Sequence, residues 1–269
     1  MKTITPDEIK EIQLDILQAF HDFCQENGIM YSLGGGTLLG AIRHNGYIPW
    51  DDDIDVYMRR DDYREFVKKF PTVYKDRYKL ASLETAPQWS RPYGKMYDEK
   101  TILIESQAKG EEIIGINIDV FPVDFFPSSQ REWVRYNKKR KILLALFFAK
   151  TSQPMRKDRT IYKNIGILFL KMVASCFTSR RLGELVSKYA QRYNETDNEY
   201  LFTNVMGWRI VKPYKASAFS KVVLHKFENR EFYIMEGFDD CLKNLYGSYM
   251  QLPPNNKRYI HHYYDAYWK

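Results

Sequence analysis

The chain has 269 residues, of which 44% are hydrophobic, and a mean hydropathy of −0.52, values typical of a globular protein with a sizeable core. Its three cysteines are far apart and lack CxxC spacing, which excludes a disulfide framework and a cysteine zinc site. The N-terminal residues carry acidic side chains where a signal peptide has an apolar run, so we expect a cytoplasmic protein.

The formal net charge of +7 is unevenly distributed along the chain. Residues 131–192 contain 16 Lys and Arg against three acidic residues, an excess of 13, so the rest of the chain carries a net charge of −6. A region this basic indicates an anionic partner. Nucleic acid is the generic partner of a basic region, but no nucleic-acid-binding motif accompanies this one, and we expect no nucleic acid to bind.

Apolar periodicity predicts the elements in chain order. The first are a helix from Pro6 onward, a strand over 29–33, a helix over 37–42, a strand over 54–58 and a helix over 59–70 closed by Pro71. Further strands are predicted near 78–83, 92–97, 101–105 and 115–120. Long helices follow near 129–150, 158–177 and 180–194, then a strand near 201–205 and a helix near 237–246.

This order predicts an α/β (α+β) fold in three parts. Residues 1–127 form the core that carries the chemistry, residues 128–195 a basic helical lobe, and residues 196–269 a mixed segment that packs on the core. No repeat or low-complexity linker separates the parts, so we expect one cooperative unit.

The apolar segment KNIGILFLKMVASCFTSRR is the candidate for a membrane-spanning helix. Its apolar run, 165–177, is shorter than the roughly 20 residues that a spanning helix needs, and Lys171 interrupts it. Two interpretations remain: a core helix of the helical lobe, which we favour, and a helix lying in an anionic membrane interface.

The segment SLGGGTLLGAIRHNGYIPWDDDIDVYM, residues 32–58, places three glycines before a helix and four carboxylates within residues 51–55. In a strand, positions i and i+2 share a face, so Asp53 and Asp55 can serve one site. Oxygen ligands without His or Cys suit Mg²⁺ or Mn²⁺. Asp119, in the strand pattern GINIDVFPVD, is the best third ligand of a two-metal site, with Asp124 in reserve.

Three rival motifs fail on spacing. An EF-hand loop starting at Asp51 would need Gly at its sixth position and Glu at its twelfth, where the chain has Val56 and Asp62. The glycines lack the Gly-Lys-Ser/Thr of a Walker A loop, and Leu39 stands where the dinucleotide fingerprint needs its last Gly. A glycine turn before a helix N-terminus still favours an anion.

The segment GGGTLLGAIRHNGYIPWDDDIDVYM resembles the signature of the LicD family, whose bacterial members include phosphocholine transferases and which shares its core with fukutin-related proteins. The resemblance continues through YGKMYDEKTILIE, GINIDVFPVD and LYGSYMQLPPNNKRYIHH, so it covers nearly the whole chain in the same order. It implies a core similar to the nucleotidyltransferases of the DNA polymerase beta type, with a mixed sheet, a glycine turn after the first strand and acids on two later strands.

The resemblance also implies roles for individual residues. Asp53, Asp55 and Asp119 would hold the metal, Gly35, Gly36 and Thr37 would approach a diphosphate, and Arg43 and Lys95 would face developing phosphate charge. Asp119 is also the candidate to help deprotonate an acceptor hydroxyl. Asp51 and Asp52 would orient ligands or cap the turn.

The implied reaction is attack by a glycan hydroxyl on the choline-side phosphorus of CDP-choline, with CMP leaving and Mg²⁺ or Mn²⁺ neutralising charge. CDP-glycerol and CDP-ribitol are alternative donors. The acceptor would be a cell-surface glycan, such as lipopolysaccharide, teichoic acid or capsular polysaccharide, or its lipid-linked precursor. The basic helices of residues 131–192 would then hold that precursor at the inner face of the membrane.

Choline is a quaternary cation, so an aromatic pocket is expected to bind it. The candidates are Trp50, Tyr57, Tyr93, Tyr259, Tyr263 and Tyr264, none of which stands out. His261 and His262 lie in the same C-terminal motif and either contact substrate or pack at the surface.

Two other functions remain open. A glycosyltransferase could use the Asp-x-Asp pattern to bind a sugar nucleotide, but such motifs usually follow a longer nucleotide-binding region than residues 1–50. A silent scaffold of the same fold could bind glycan without chemistry. Retention of Asp53, Asp55 and Asp119 together speaks against a scaffold, since it has no need for three repelling charges.

Overall fold

The computed structural model describes residues 2–73, 77–105, 113–152, 160–196, 198–206, 212–258 and 264–269. The helices within these ranges are α1 (Pro6–Glu26), α2 (Gly35–His44), α3 (Arg60–Val73), α4 (Gln130–Thr151), α5 (Ile161–Ala174), α6 (Ser179–Ala190) and α7 (Phe238–Tyr246). The strands are β1 (Ser32–Leu33), β2 (Asp55–Arg59), β3 (Tyr78–Ala81), β4 (Gly94–Asp98), β5 (Thr101–Glu105), β6 (Asn117–Phe126), β7 (Tyr200–Phe202), β8 (Tyr214–Lys215), β9 (Val222–Phe227), β10 (Arg230–Met235) and β11 (Tyr264–Trp268).

A mixed sheet forms the centre of this α/β fold. Its strands lie in the order β1-β2-β6-β4-β3, and the outer half of β6 also pairs with β7, which pairs with β8. The β2–β6 pair is parallel and the other pairs of the sheet are antiparallel. The long strand β6 therefore pairs both with the acidic strand β2 and with the C-terminal segment.

Helix α1 covers the inner face of the sheet. A capping box starts it, because the Thr5 hydroxyl accepts from the Glu8 amide at 3.3 Å and the Glu8 carboxylate accepts from the Thr5 amide at 2.8 Å. Ile16, Leu17 and Phe20 are fully buried on its inner stripe. The same core includes buried side chains from the helical lobe and the C-terminal segment.

Most predicted elements are present, with shifted ends. Pro71 does not close α3, which runs to Val73. The helical φ of proline is compatible with the last turn, and only the amide hydrogen bond of that position is lost. Strand β2 begins at Asp55 rather than before it, so Asp53 lies in the extended approach to the strand.

The hairpin β9–β10 was not predicted. Its turn has no Asn-Gly or Gly signal, and Glu228 adopts φ +58° there. Tertiary contacts hold the turn instead: the Glu228 amide donates to the Asn45 carbonyl at 2.7 Å, and the Glu228 carboxylate accepts from the Tyr47 amide at 2.8 Å. The hairpin is thereby fixed against the loop that follows α2.

The helical lobe contains α4, α5 and α6. Arg140 of α4 is 2% exposed and donates to the carbonyls of Asn204 at 3.0 Å and Met206 at 2.8 Å, which ties the lobe to the C-terminal segment. The favoured interpretation of α5 as a core helix is wrong, because only Asn164 and Ala174 are buried on it.

Within the described ranges, no single helix has both the length and the apolar content to cross a membrane. Helix α5 and the segment Ser179–Tyr193 meet those criteria of length and composition only as a pair bent by 92°.

Candidate active site

The glycine turn brings the start of α2 against the acidic segment. Gly34 caps the helix, and its amide donates to the Asp55 carbonyl at 2.9 Å. Gly35 has φ +49°, and a Cβ there would lie 2.8 Å from Asp55 Oδ2, while a Cβ on Gly36 would lie 2.6 Å from Asp51 Oδ2. Glycine is thus required for two carboxylates to approach the positive end of the helix.

Thr37 fixes α2 to β2. Its hydroxyl oxygen accepts a hydrogen bond from the Asp55 amide at 2.8 Å, and its side chain is buried. Because the glycine turn and β2 are joined at Thr37 as well as at Gly34, the geometry between helix N-terminus and carboxylates is fixed by the backbone. A diphosphate contact for Thr37 stays a prediction.

Three predicted site residues form a row across the sheet. Asp55 on β2 is the register partner of Asp119 on β6, and Asp119 is the register partner of Lys95 on β4. Directly opposed residues share a face of the sheet. The row explains why a carboxylate so far along the chain meets the acidic strand.

Lys95 lies among acceptors at the end of this row. Its ammonium Nζ is 2.8 Å from Asp119 Oδ1 and 2.9 Å from Asn117 Oδ1, and the residue is 7% exposed. A cation this buried compensates part of the negative charge of the row. Its predicted contact with a phosphate stays a prediction.

A cavity of about 240 Å³, here called the acidic cavity, lies over the row. Its polar lining includes Asp52, Asp53, Asp55, Asp119, Lys95, Arg91, Gln13 and Asn117. The three predicted metal ligands therefore line one cavity, although Asp53 precedes the strand.

Burial and nearby carboxylates act together on the pKa of Asp55. Burial raises the pKa of its carboxyl well above the ordinary value, and the neighbouring carboxylates of Asp53, Asp119 and Asp51 raise it further, while Lys95 opposes them. A cavity that resists the ionisation of its own carboxylate is electrostatically suited to a cation.

The donor set fits a hard divalent cation, because it consists of carboxylate oxygens. Within the described part of the chain, the group of three whose ligating atoms lie within 4.8 Å of one another is Asp51, Asp52 and Asp53. This group overlaps the predicted set at Asp53. The other two predicted ligands, Asp55 and Asp119, are not members of this group and are register partners on the sheet, with Asp119 against Lys95.

Asp124, the reserve ligand, serves the fold instead. It is 1% exposed, and its two oxygens accept from Arg60 at 2.8 and 2.6 Å. Asn194 donates to it at 2.7 Å. The alternation of β6 indicated an inward carboxylate but carried no sign of the buried Arg60, which starts the helix after β2.

A second cavity of about 510 Å³, here called the aromatic cavity, opens beside Gly36 and Asp51. Arg43, Trp50, Tyr246 and Tyr249 also line it. Arg43 Nη1 donates to the Tyr249 carbonyl at 2.9 Å. Arg43 therefore does not join Lys95: the two predicted phosphate-facing cations line different cavities, with the acidic segment between them.

Most of the aromatic side chains that were predicted to bind choline are buried or packed against other residues of the chain. The Arg258 guanidinium lies 5.4 Å from the centre of the Trp50 ring, Tyr57 is 7% exposed, and Tyr93 is 2% exposed with its ring 4.4 Å from that of Phe121. Tyr264 lines the acidic cavity. Tyr259, Tyr263, His261 and His262 lie outside the described residues.

Sequence reasoning missed several lining residues. Tyr246 is 46% exposed in the aromatic cavity, and its signal was its place in the quoted motif LYGSYMQLPPNNKRYIHH. Gln13 donates to the Asp52 carbonyl at 3.1 Å, as does the hydroxyl of Tyr264 at 3.1 Å. The signal for Gln13 was a polar residue on the buried stripe of α1.

Comparisons with known proteins agree with these motifs. The sequence model described as LicD/FKTN/FKRP, nucleotidyltransferase domain, matches residues 28–171, which include the glycine turn, β2 and β6. The chain is 34% identical over 278 residues to the lipopolysaccharide cholinephosphotransferase LicD of Haemophilus influenzae, covering 99% of each protein.

Two shorter matches are to uncharacterized rickettsial proteins. One, from Rickettsia typhi, is 39% identical over 56 residues, covering 21% of this chain and 18% of that protein. The other, from Rickettsia prowazekii, is 32% identical over 69 residues, covering 22% of this chain and 26% of that protein. These matches carry no statement about activity.

Proposed function

The chain belongs to the LicD family, and from that premise we propose that it transfers phosphocholine from CDP-choline to a hydroxyl of a lipopolysaccharide glycan or its lipid-linked precursor. The observation that carries the proposal is the convergence of Asp53, Asp55 and Asp119 on one cavity beside the N-terminus of α2. The named activity of the Haemophilus influenzae relative, similar over its whole length, supports choline as the headgroup and lipopolysaccharide as the acceptor.

Asp53, Asp55 and Asp119 would hold Mg²⁺ or Mn²⁺, with Asp51 and Asp52 close enough to adjust the ligand set. When bound, such an ion would neutralise negative charge on the diphosphate of the donor and polarise it. The protein's part is to keep repelling carboxylates together: α2 holds Asp55 through Gly34 and Thr37.

The start of α2 would bind the diphosphate. Gly35 and Gly36 present backbone amides without side chains in the way, and the helix N-terminus favours negative charge. The carboxylates of Asp51 and Asp55 now lie at these positions, so both must turn toward a cation when a diphosphate approaches. We propose that this exchange couples donor binding to metal binding.

Donor and acceptor would occupy the two cavities. The aromatic cavity lies on the Gly36 side and offers the exposed Tyr246, an aromatic face suited to a quaternary ammonium. The acidic cavity contains Asp119, which would accept the proton of the acceptor hydroxyl. Lys95 would orient Asp119 from the far side.

The first test is thermal unfolding with Mg²⁺ and a panel of CDP-choline, CDP-glycerol, CDP-ribitol and UDP-sugars. Ligand at about 100 times its dissociation constant adds roughly 2.7 kcal/mol of stability. We expect a metal-dependent rise in melting temperature with CDP-choline. A rise with another CDP-linked donor alone would reassign the headgroup, and a rise with UDP-sugars alone would favour the glycosyltransferase.

The second test is release of CMP from CDP-choline in the presence of lipopolysaccharide that lacks phosphocholine. We expect transfer by the wild-type chain and none by Asp53→Ala. Absence of transfer to lipopolysaccharide and to its lipid-linked precursor, with CDP-choline bound, would contradict the proposed acceptor.

A further inference from the structure

Helix α5 exposes large apolar side chains along its whole length. Ile161, Tyr162, Ile165, Phe169 and Met172 are between 57% and 83% exposed. Positions 161, 165, 169 and 172 recur at helical spacing and so form one continuous stripe. Single exposed apolar residues are normal on a protein surface, but a stripe of this size indicates contact with another phase or molecule.

The opposite face of α5 packs on the rest of the helical lobe. Asn164 and Ala174 are buried there, and Lys171 Nζ lies 3.5 Å from the Lys150 carbonyl at the end of α4. The helix is thus held in place from one side, and the apolar stripe points away from the protein. Such an arrangement presents a fixed apolar surface.

Basic side chains are exposed on all three helices of the lobe that carries the stripe. The exposed ones include Lys138, Lys139 and Lys141 on α4, Lys163 on α5 and Arg181 on α6. The lobe region, residues 131–192, has an excess of 13 positive charges in the sequence. An apolar stripe within a basic surface is the composition of helices that lie in anionic membrane interfaces.

We propose that α5 docks the protein on an anionic lipid bilayer, with its apolar stripe at the level of the acyl-chain boundary and the surrounding Lys and Arg on lipid phosphates. The apolar side chains in the stripe then leave water, and the net positive charge of the lobe lies near an anionic surface. The helix has 14 residues, about 21 Å at 1.5 Å per residue, which is short of the roughly 30 Å hydrocarbon core. It lies in the interface and does not cross it.

Helix α6 does not extend this surface into a span. Leu182, Val186 and Ala190 are buried against the protein, so the apolar face of α6 already has its partner. For the bent pair of α5 and α6 to insert across a bilayer, α6 would have to leave its contacts with the protein, which would unfold the lobe.

A second copy of the chain is a poorer partner for the stripe. Two-fold pairing of this face would bring the same lysines of both copies together, and like charges at a close interface are unfavourable. Anionic lipid headgroups instead complement the net positive charge of the lobe.

The docking surface lies on the same packed unit as the candidate active site. Arg140 of α4 holds the Met206 carbonyl at 2.8 Å, and Met206 lines the acidic cavity. A lobe seated on the bilayer would keep the cavity near a lipid-linked substrate. The inference goes beyond the proposed function and does not depend on it, because vesicle binding needs no donor or acceptor.

Sedimentation of the full chain with vesicles tests the proposal. The vesicles are phosphatidylethanolamine with phosphatidylglycerol, and phosphatidylcholine alone serves as the neutral case. We expect binding to the anionic vesicles that weakens with salt. Ile165→Ser with Phe169→Ser should reduce it about tenfold or more, and Lys141→Gln with Lys163→Gln about tenfold.

Matched controls separate the stripe from general surface properties. Val223→Ser with Leu224→Ser removes two apolar side chains of 40% and 49% exposure on β9, and Lys68→Gln with Lys226→Gln removes two exposed charges outside the helical lobe. Both controls should bind as wild type, and melting temperatures should be unchanged in all four variants. These readouts stay valid if CDP-choline does not bind.

Two results would overturn the proposal. One is wild-type binding by the Ile165/Phe169 variant, which would assign any membrane contact to another surface. The other is no binding of the wild-type chain to anionic vesicles; if light scattering then showed a dimer that the same variant converts to a monomer, the stripe would be assigned to a second copy of the chain.

Discussion

Lys95 Nζ lies 2.8 Å from Asp119 Oδ1, and the two residues are register partners on neighbouring antiparallel strands. Asp119 is in turn the register partner of Asp55 on the parallel strand β2. One row across the sheet thus carries a buried cation at one end and the most crowded carboxylate at the other. The cation compensates part of the negative charge of the row through its ion pair with Asp119.

Replacing Lys95 by Met tests this compensation. Without the ammonium, Asp119 loses its partner and the row carries more uncompensated negative charge. We expect kcat for CMP release to fall about 100-fold, as when one preorganised charge is removed from an active site. Steady-state kinetics measure it, with Lys79→Met as the control, because Lys79 on the neighbouring strand β3 pairs with Glu99 at 3.4 Å in a more exposed setting. An unchanged kcat would contradict a role for Lys95.

Asp55→Asn should stabilise the protein without metal and inactivate it. Burial and three neighbouring carboxylates raise the pKa of Asp55, so its ionised form destabilises the fold, and a neutral amide of similar size removes that repulsion. We expect a gain of about 1 kcal/mol in the free energy of unfolding in EDTA, measured by urea denaturation. The variant should also lose the stabilisation by Mg²⁺ that wild type shows.

Asp265→Asn, an exposed carboxylate on β11, is the control for that measurement and should leave both values unchanged. If Asp55→Asn destabilised the metal-free protein, repulsion among the carboxylates would not be the dominant force on that residue.

Gly36→Ala should damage the site more than the fold. The new Cβ would lie 2.6 Å from Asp51 Oδ2, so the carboxylate must move away from the helix N-terminus. We expect a loss of less than about 1 kcal/mol in stability, because the atom that must move is the end of a partly exposed side chain, and a weaker effect of CDP-choline on the melting temperature. Gly166→Ala in α5 is the matched control, because nothing lies within 4 Å of its added Cβ, and helix propensity predicts a slight gain. Equal effects of both substitutions would refute the steric argument.

Asp124→Asn tests whether Asp124 stabilises the fold, in contrast to the metal-binding role of the carboxylates in the acidic cavity. It leaves the Arg60 guanidinium buried without its bidentate partner, and breaking such a pair costs about 3 kcal/mol or more. Asp61→Asn breaks an exposed pair with Arg64 and should cost less than about 1 kcal/mol. Mg²⁺ should stabilise Asp124→Asn as much as wild type in thermal unfolding. Loss of that effect would return Asp124 to the list of metal ligands.

The local half of the candidate site was predictable from sequence. A glycine run before a helix and a period-2 acidic strand are short-range signals, and they correctly located α2 and β2. The register that opposes Asp55, Asp119 and Lys95 depends on strand pairing between residues 24 and 64 positions apart in the chain, which no local pattern encodes.

Other differences have the same origin. The buried pair of Arg60 and Asp124 and the β9–β10 turn at Glu228 depend on tertiary contacts, and these contacts override weak local signals. Helix α5 shows a different limit. Its composition predicts an apolar helix, but whether protein or another phase covers it is decided by the packing of the lobe, so the favoured core interpretation failed.

His21 gives the fold a pH dependence away from the candidate site. The ring is 6% exposed, its Nδ1 lies 2.7 Å from the Tyr31 hydroxyl, and Phe232 and Tyr233 pack around it. Burial lowers the pKa of His21 below its ordinary value, and Asp22 opposes this only in part. The folded chain therefore holds the neutral ring at a pH where the unfolded chain already binds a proton.

The sign follows from linkage. Because the folded pKa is depressed, the stabilising contribution of His21 is complete above a pH of about 6.5 and is lost as the pH falls below it, with a slope of up to about 1.4 kcal/mol per pH unit. Urea denaturation from pH 7.5 to 5.5 should therefore show wild type losing stability more steeply than His21→Gln, which cannot take up a proton. His225→Gln in the hairpin, whose ring nitrogen contacts the Lys226 carbonyl, should keep the wild-type slope. Parallel profiles for wild type and His21→Gln would show that burial of this ring does not oppose its protonation.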